Sequence, residues 1–178
     1  MGFERTGGET VYDGLIATVR VETFRHDDGE EVRREYIAHP GAVVMLAHDG
    51  EHLYLVRQPR EAAGEELLLE LPAGKLDEEG EEAEETVQRE LAEEVGKRAR
   101  SVRHLKTFYS SPGFTDEAMR LYLCTDLYDA EAESEEDERI EVVEWPLADL
   151  DGAIAETTDA KTLIGLLWLK ACTSREDV

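Results

Sequence analysis

A run of glutamates between Gly74 and Lys97 constrains this chain more than any other feature. Three of them, Glu90, Glu93 and Glu94, are spaced i, i+3 and i+4, so on a helix their side chains lie on one side. Like charges placed that closely destabilise a helix unless a cation lies among them. Because clustered carboxylate oxygens are the ligands that Mg²⁺ and Mn²⁺ prefer, the spacing predicts a divalent-metal site.

The same helix carries an apolar stripe at i, i+4 and i+8, which consists of Val87, Leu91 and Val95. At about 100° per residue, Glu94 lies beside that stripe, Glu90 further round and Glu93 further still. In a chain this acidic, a run of glutamates is usually a solvated face. Acids on the border of the stripe are instead partly shielded from water, where a metal would compensate their charge. Gly96 predicts the end of the helix.

Acidic side chains limit the partners of the protein. The 178 residues include 43 Asp and Glu against 19 Lys and Arg, for a formal net charge of -24. Such a surface repels nucleic-acid backbones and anionic membranes, so we expect neither as a partner. A phosphate-bearing substrate would also be repelled, so its site needs metal ions or arginines. An acidic interaction protein or cation buffer is an alternative that explains the charge alone.

The cysteines and the apolar runs indicate the compartment. Cys124 and Cys172 are the only cysteines, which is too few for a disulfide framework, and their spacing does not suggest zinc. The first ten residues contain no apolar signal segment, and no run is long enough to span a bilayer. The sequence therefore predicts a cytoplasmic protein.

The pattern of apolar residues predicts two parts. Residues 10–37 are rich in β-branched residues and contain a turn at 26–29, so residues 1–40 are expected to form an N-terminal β-ribbon subdomain. This ribbon is too polar to stand alone and must pack against something else. Residues 41–178 are expected to form an α+β or layered α/β/α domain. Its predicted strands are 42–47, 52–57, 66–71, 102–108, 119–127 and 140–145, and its later helices are 148–154 and 158 or 159 to 172.

The glutamate-rich helix and its preceding loop resemble the Nudix box, Gly-x5-Glu-x7-Arg-Glu-U-x-Glu-Glu-x-Gly-U, in which U is apolar. From Glu81 onward the match is in register, through Arg89, Glu90, Leu91, Glu93, Glu94 and Gly96. Six residues, not five, separate Gly74 from Glu81, and Lys97 stands at the last apolar position. The resemblance implies a Nudix-type α/β/α sandwich with a mixed sheet, to which the N-terminal ribbon is added.

Segments outside the box resemble the ADP-ribose pyrophosphatases over nearly the whole chain. The matching segments are 34–35, 39–43, 56–60, 70–76, 111–117 and 137–142. Pro112 lies sixteen residues beyond Gly96, the spacing that marks the ADP-ribose branch. The resemblance implies metal-dependent hydrolysis of ADP-ribose to AMP and ribose 5-phosphate, in a homodimer whose N-terminal ribbon reaches across to the partner. The alternative is another nucleoside diphosphate derivative, such as a nucleotide sugar or a dinucleotide.

The resemblance also implies which residues carry the chemistry. Mg²⁺, or Mn²⁺ in its place, would be held by the Ala73 carbonyl and by Glu90, Glu94 and Glu93. The expected substrate-binding residues are Arg57, Arg34, Arg60, Glu70 and Glu117. A surface ion pair in an acidic chain is the competing interpretation of each arginine, and for Arg60 it is equally good.

The general base is expected in the acidic loop before the predicted strand at residue 140. Glu138 fits best, Glu136 is the alternative, and Glu93 of the helix could serve instead. A solvated loop with no catalytic member is the competing interpretation.

Two further pairs of residues have expected roles. Glu81 and Arg89 are expected to pair and brace the loop rather than contact the substrate. Tyr109 and Phe114 are candidates for stacking on adenine, with core packing an equal alternative. A non-catalytic Nudix-like module would have a broken acid cluster, whereas all three glutamates are present.

Overall fold

The computed structural model describes residues 2–15, 17–131 and 139–173. The chain divides into two compact units, Met1–Gly41 with Tyr109–Ala118, and Ala42–Phe108 with Met119–Val178. In chain order, the described elements are β1 (Phe3–Asp13), β2 (Thr18–His26), β3 (Glu31–Ala38), β4 (Ala42–His48), β5 (His52–Arg60), β6 (Glu65–Glu70), β7 (Ala73–Lys75), α1 (Ala83–Val95), β8 (Lys97–Tyr109), β9 (Ala118–Asp129), β10 (Glu141–Pro146), a 3₁₀ turn (Leu147–Asp149), α2 (Leu150–Glu156) and α3 (Ala160–Thr173).

The first unit is built on a three-stranded antiparallel sheet with the order β1-β2-β3. The expected turn joins β2 to β3, where the His26 amide donates to the Glu30 carbonyl at 2.9 Å. Strand β1 was not foreseen, and all of its residues are exposed. The segment Tyr109–Ala118 joins this unit because the Ile37 amide donates to the Phe114 carbonyl at 2.8 Å.

The second unit contains a seven-stranded sheet, in which β10-β5-β4-β9-β8 are neighbours in that order, β6 pairs with β5 and β7 with β4. Strands β4 and β9 run parallel, whereas β4 and β5, β4 and β7, and β5 and β6 run antiparallel. The expected mixed sheet is therefore confirmed. Strand β4 is buried over six of its seven residues, as expected for a strand covered on both faces.

Alternate residues of β4 pack into two separate apolar layers. Val43 and Met45 contact the layer that contains Val87 and Leu91 of α1. The residues in between face a second layer, which contains Ala42, Val44 and Leu46 of β4, Leu150 and Ala153 of α2, and Leu166 and Leu169 of α3. Since successive side chains of a strand point to opposite faces, α1 covers one face of the sheet and α2 and α3 cover the other. This is the expected α/β/α arrangement.

None of the helices in the described parts of the chain is both long enough and apolar enough to pass through a bilayer.

Candidate active site

Helix α1 ends at Gly96, as its sequence predicts, and both of its ends are capped. At its start, the Glu82 amide donates to the side chain of Glu85 at 3.0 Å, which satisfies one of the amides that a helix start leaves unpaired. At its end, Gly96 adopts a φ of 71° and its amide donates to the Ala92 carbonyl. That left-handed conformation is the reason for a glycine at this position. Both ends of the acidic helix are therefore defined by local hydrogen bonds.

The three glutamates lie on the border of the buried stripe in the expected order. Val87 and Leu91 are fully buried. Glu94, beside the stripe, is 7% exposed, whereas the side chains of Glu90 and Glu93 are 15% and 26% exposed. The acids are therefore progressively shielded from water rather than placed on a solvated face.

The loop before the helix contacts two of these acids directly. The Ala73 amide donates to Oε2 of Glu94 at 3.1 Å. At Gly74, an added Cβ would lie 1.9 Å from Cδ of Glu90, so only glycine lets the Glu90 side chain approach the backbone this closely. Loop and helix thus bring the Ala73 backbone, Glu90 and Glu94 together, as the predicted metal site requires.

Arg89 is the cation among the acids. Its guanidinium binds both carboxylate oxygens of Glu81, with Nε to Oε1 at 3.1 Å and Nη2 to Oε2 at 3.0 Å. Its third nitrogen, Nη1, donates to Glu90 at 2.8 Å and to Glu93 at 3.1 Å. The expected pairing of Arg89 with Glu81 is confirmed. The same arginine also offsets the repulsion between two of the helix acids.

The hydrogen bonds between Arg89 and Glu81 shift the pKa values of both residues. The hydrogen bond from Arg89 holds the pKa of Glu81 below its ordinary value, and the Thr86 hydroxyl, 2.9 Å away, acts in the same direction. The hydrogen bond to Glu81 raises the pKa of Arg89 in turn, with Glu90 contributing further. Glu81 therefore stays ionised, and Arg89 stays charged, throughout the physiological range.

The donor atoms at this site fit a hard divalent cation. In the residues that the structure describes, no group of three histidine, cysteine or acidic side chains is already arranged to hold a metal ion. Two of the three helix acids, Glu90 and Glu93, are bound instead to Nη1 of Arg89. The side chains predicted to hold the metal, Glu90, Glu93 and Glu94, nevertheless offer carboxylate oxygens, the donors that suit Mg²⁺ or Mn²⁺.

Three predicted substrate contacts lie in the second unit, and each is ion-paired. Nη2 of Arg57 lies 2.5 Å from the Glu156 carboxylate. Arg60 binds Glu70 through Nε at 2.6 Å and Nη2 at 2.8 Å. Glu70 is 1% exposed and also accepts from Lys161. The structure therefore brings Arg60 and Glu70 together, and hydrogen bonding to Glu70 raises the pKa of Arg60.

The other predicted residues lie elsewhere. Arg34 and Glu117 belong to the first unit, where the carboxylate of Glu117 lies 3.7 Å from Nε2 of His39. Tyr109 and Phe114 are 59% and 56% exposed, so neither packs in a core. The predicted base Glu138 and its alternative Glu136 lie outside the described residues.

Sequence reasoning missed the polar residues before and within the first turn of α3. Thr157, Lys161 and Thr162 are all buried; the first two contact the last two residues of β6, and Thr162 contacts Leu71 directly after it. The only signal was the expected cap at Thr158 or Asp159. In the structure the cap is Asp159, because its Oδ2 accepts a hydrogen bond from the Thr162 amide at 3.0 Å.

Comparison with known proteins identifies the family. The NUDIX domain matches residues 38–164. The chain is 38% identical over 167 residues to an ADP-ribose pyrophosphatase of Bacillus subtilis (strain 168), covering 91% of this chain and 89% of that protein. It is 35% identical over 177 residues to an ADP-ribose pyrophosphatase of Mycobacterium tuberculosis, covering 97% and 85%. It is also 35% identical over 167 residues to a methanol dehydrogenase activator of Bacillus methanolicus, covering 91% and 89%.

A solved structure described as an ADP compounds hydrolase superposes with a TM-score of 0.83 at 25% identity, covering 100% of this chain and 98% of that one. Its fold is the mixed sheet with flanking helices described above. The chain belongs to the Nudix family of hydrolases. The resemblance found in the glutamate-rich helix and its loop is thereby confirmed.

Proposed function

We propose that this protein hydrolyses the diphosphate linkage of ADP-ribose, giving AMP and ribose 5-phosphate. The observation that carries the proposal is the contact between the Ala73 amide and Glu94, which joins the loop to the acidic helix. Two similar proteins bear the name ADP-ribose pyrophosphatase, and the sequence segments shared with that group extend beyond the Nudix box. In the reaction, a water oxygen forms a bond to one phosphorus atom, and the bridging oxygen leaves with the other.

Mg²⁺ is the proposed cofactor, with Mn²⁺ as a substitute. The Ala73 carbonyl, Glu90 and Glu94 would hold it, with Glu93 as a further ligand. When bound, such ions neutralise the diphosphate and acidify a coordinated water. The chain contributes fixed oxygen donors, because Gly74 lets Glu90 lie against the loop and Ala73 anchors Glu94.

Arginines are proposed to hold the phosphates, because the net charge of -24 repels an anion elsewhere on the surface. Arg57 is the first candidate, and its ion pair with Glu156 orients its side chain. Arg60 is the second candidate: its Nε and Nη2 atoms bind Glu70, and we propose that its third nitrogen, Nη1, contacts the phosphates. Arg34 and Glu117, which lie in the first unit, stay predicted substrate-binding residues.

Glu138 is the proposed general base, which takes the proton of the attacking water. Glu136 is the alternative, and Glu93 is a weaker one. The carboxylate of Glu93 accepts a hydrogen bond from Arg89 at 3.1 Å. That hydrogen bond already occupies a Glu93 oxygen and would have to be given up before the same oxygen could take a proton from water, which makes Glu93 the weaker candidate.

We also propose that the protein is a homodimer and that it is cytoplasmic. The exposed strand β1 carries large apolar side chains, Phe3 at 67% and Tyr12 at 60% exposure, and an exposed strand edge of this kind favours pairing with another surface. Cys124 and Cys172 are both free, which fits a reducing compartment.

The test is a substrate panel assayed with Mg²⁺: ADP-ribose, a nucleotide sugar, a dinucleotide and a nucleoside triphosphate. We expect AMP and ribose 5-phosphate from ADP-ribose, and a loss of about 100-fold or more in kcat/KM for Glu94→Gln. A preference for the sugar or the dinucleotide would establish the alternative, a Nudix diphosphatase for another nucleoside diphosphate derivative. Faster hydrolysis of the triphosphate, or unchanged turnover in Glu94→Gln, would contradict both.

A further inference from the structure

Three consecutive residues, the last two of β6 and Leu71 directly after it, are each contacted by a buried polar side chain from the segment that enters α3. The Thr157 hydroxyl donates to the Leu69 carbonyl at 2.7 Å. Lys161 donates to the carboxylate of Glu70, and the Leu71 amide donates to the Thr162 hydroxyl at 2.7 Å. We call Thr157, Asp159, Lys161 and Thr162 the α3 clamp.

Asp159 sets the direction of the last of these hydrogen bonds. Its Oδ2 atom accepts from the Thr162 hydroxyl at 2.6 Å and from Lys161 at 2.9 Å. Because the hydroxyl proton of Thr162 points to Asp159, the oxygen presents its lone pairs to the Leu71 amide. The threonine is therefore held as an acceptor, and Leu71 cannot rotate away without leaving a buried amide unpaired.

The hydrogen bonds continue from Leu71 to Ala73 and Gly74, in the loop proposed to bind metal. The Pro72 carbonyl accepts from the Met45 amide at 2.9 Å, and the Ala73 amide donates to Glu94 at 3.1 Å. Helix α3 also packs closely here, since a Cβ added at Gly165 would lie 2.4 Å from Cδ1 of Leu71. The backbone is thus fixed at each step between the clamp and Glu94.

The clamp consists of polar side chains, which indicates a role other than packing. Of the seven buried polar or charged residues within the described ranges, four take part in these contacts: Glu70, Thr157, Lys161 and Thr162. Glu94 is a fifth, at the far end of the same backbone. Burying polar groups costs free energy that an apolar junction would avoid, but hydrogen bonds fix direction in a way that apolar contacts do not.

We propose that Asp159 and Thr162 are positioning residues of the metal site. They hold the Leu71 amide, and through Pro72 they set where the Ala73 carbonyl lies and where Glu94 is anchored. This inference rests on the proposed function, because it assigns the clamp to the same metal-binding loop. Neither residue is expected to touch metal or substrate.

The experiment compares Thr162→Val, which removes the acceptor and keeps the shape, with Thr162→Ser, which keeps the acceptor. Leu166→Ala is the matched control, because Leu166 is a fully buried residue of the same helix whose truncation disturbs packing without touching a hydrogen bond. The first measurement is the Mn²⁺ dissociation constant by electron paramagnetic resonance, without substrate, at a temperature where every variant is folded. The second is amide hydrogen exchange at Leu71 and Ala73.

We expect Thr162→Val to weaken Mn²⁺ binding about tenfold, as loss of an outer contact to a metal site does. Exchange at Leu71 and Ala73 should accelerate in the same variant, kcat should fall more than KM rises, and Thr162→Ser should restore most of each effect. Where Thr162→Val does not fold, Asp159→Asn takes its place with the same expectations. The control, Leu166→Ala, should leave the Mn²⁺ constant within about twofold of the wild type.

Wild-type Mn²⁺ affinity in Thr162→Val, or equal weakening in Leu166→Ala, would overturn the positioning role alone. Absence of Mn²⁺ binding by the wild-type protein would overturn the proposed function and this inference with it.

Discussion

The backbone amide of Ala73 donates to Oε2 of Glu94 at 3.1 Å, across 21 positions of sequence. This hydrogen bond ties the loop before α1 to the most buried acid of the helix. The geometry of the proposed metal site therefore depends on the loop as much as on the helix. Substitutions in the loop should alter metal binding even where the glutamates themselves are unchanged.

Gly74→Ala tests that dependence directly. The new Cβ would meet the Glu90 side chain from Cγ to its carboxyl group, so that side chain must turn away from the loop. We expect Mn²⁺ affinity to fall about tenfold while the melting temperature changes by only a few degrees. Isothermal titration calorimetry and a thermal melt measure the two effects. The control is Gly7→Ala, where an added Cβ meets nothing within 4 Å; an equal loss of affinity there would contradict the account.

Arg89→Lys tests the paired hydrogen bonds from Arg89 to Glu81, which hold the loop before α1. Lysine keeps the charge but cannot bind both oxygens of Glu81 at once, so we expect the free energy of unfolding to fall by about 1–2 kcal/mol. Urea denaturation followed by circular dichroism measures the change. The matched control is Arg100→Lys, because Arg100 contacts Asp126 at 3.2 Å with both side chains largely exposed and should lose less than about 0.5 kcal/mol. Equal losses in the two variants would argue against a special role for Arg89.

Much of the fold could be predicted because the relevant signals are local. The apolar run in β4, the turn at residues 26–29 and the glycine at position 96 each determine a nearby structure. Strand β1 was missed because Phe3–Asp13 is exposed throughout, so no alternation of buried and exposed residues marks it. The association of Tyr109–Ala118 with the first unit depends on hydrogen bonds to Ile37 that no local pattern encodes.

The candidate site also contains some features that local sequence predicts and others that depend on distant residues. The helix acids and the pairing of Glu81 with Arg89 could be predicted, because both depend on spacing within and just before one helix. The α3 clamp could not be predicted, since Thr162 meets Leu71 across 91 positions of sequence. A lysine in an acidic chain gives no sign of being buried. Lys161 is 8% exposed only because the strand places Glu70 opposite it.

The general base can be identified by three single variants. We expect Glu138→Gln to lower kcat by about 100-fold to 10,000-fold and to abolish the acidic limb of the pH–kcat profile, because the base must be ionised to accept a proton. Glu136→Gln should remain within about threefold of the wild type. Stopped assays between pH 5 and 9 give the profiles. If Glu138→Gln keeps its acidic limb and Glu93→Gln loses it, the base is on the helix instead.

Ionisation of Asp49 makes the free energy of unfolding depend on pH, and this effect is independent of the active site. Its carboxylate accepts from the amides of Glu51 at 2.8 Å and His52 at 2.7 Å, and from the Tyr54 hydroxyl at 3.0 Å. The His52 amide is the largest cause that lowers the pKa of Asp49 from its ordinary 3.8 to about 2. Because the folded pKa is the lower one, the stabilisation is complete above about pH 4 and is lost as the pH falls towards 2.

Asp49→Asn should therefore lower the free energy of unfolding by about 1 kcal/mol at pH 6, a figure reduced for the partial exposure of the side chain. The difference from wild type should shrink steadily below pH 4. Urea denaturation of both proteins across this range provides the measurement, and Glu51→Gln controls for the change in net charge. A difference that is constant with pH would show that the carboxylate is not responsible.

The central claim is that Glu90, Glu94 and the Ala73 carbonyl hold the divalent ions that make the diphosphate breakable. The most direct measurement is anomalous diffraction from crystals soaked in Mn²⁺ with a non-hydrolysable ADP-ribose analogue. We predict manganese density about 2.2 Å from oxygens of all three residues, in contact with the diphosphate of the analogue. Crystals that bind the analogue but show manganese only at other residues, or none beside Glu90 and Glu94, would contradict the claim.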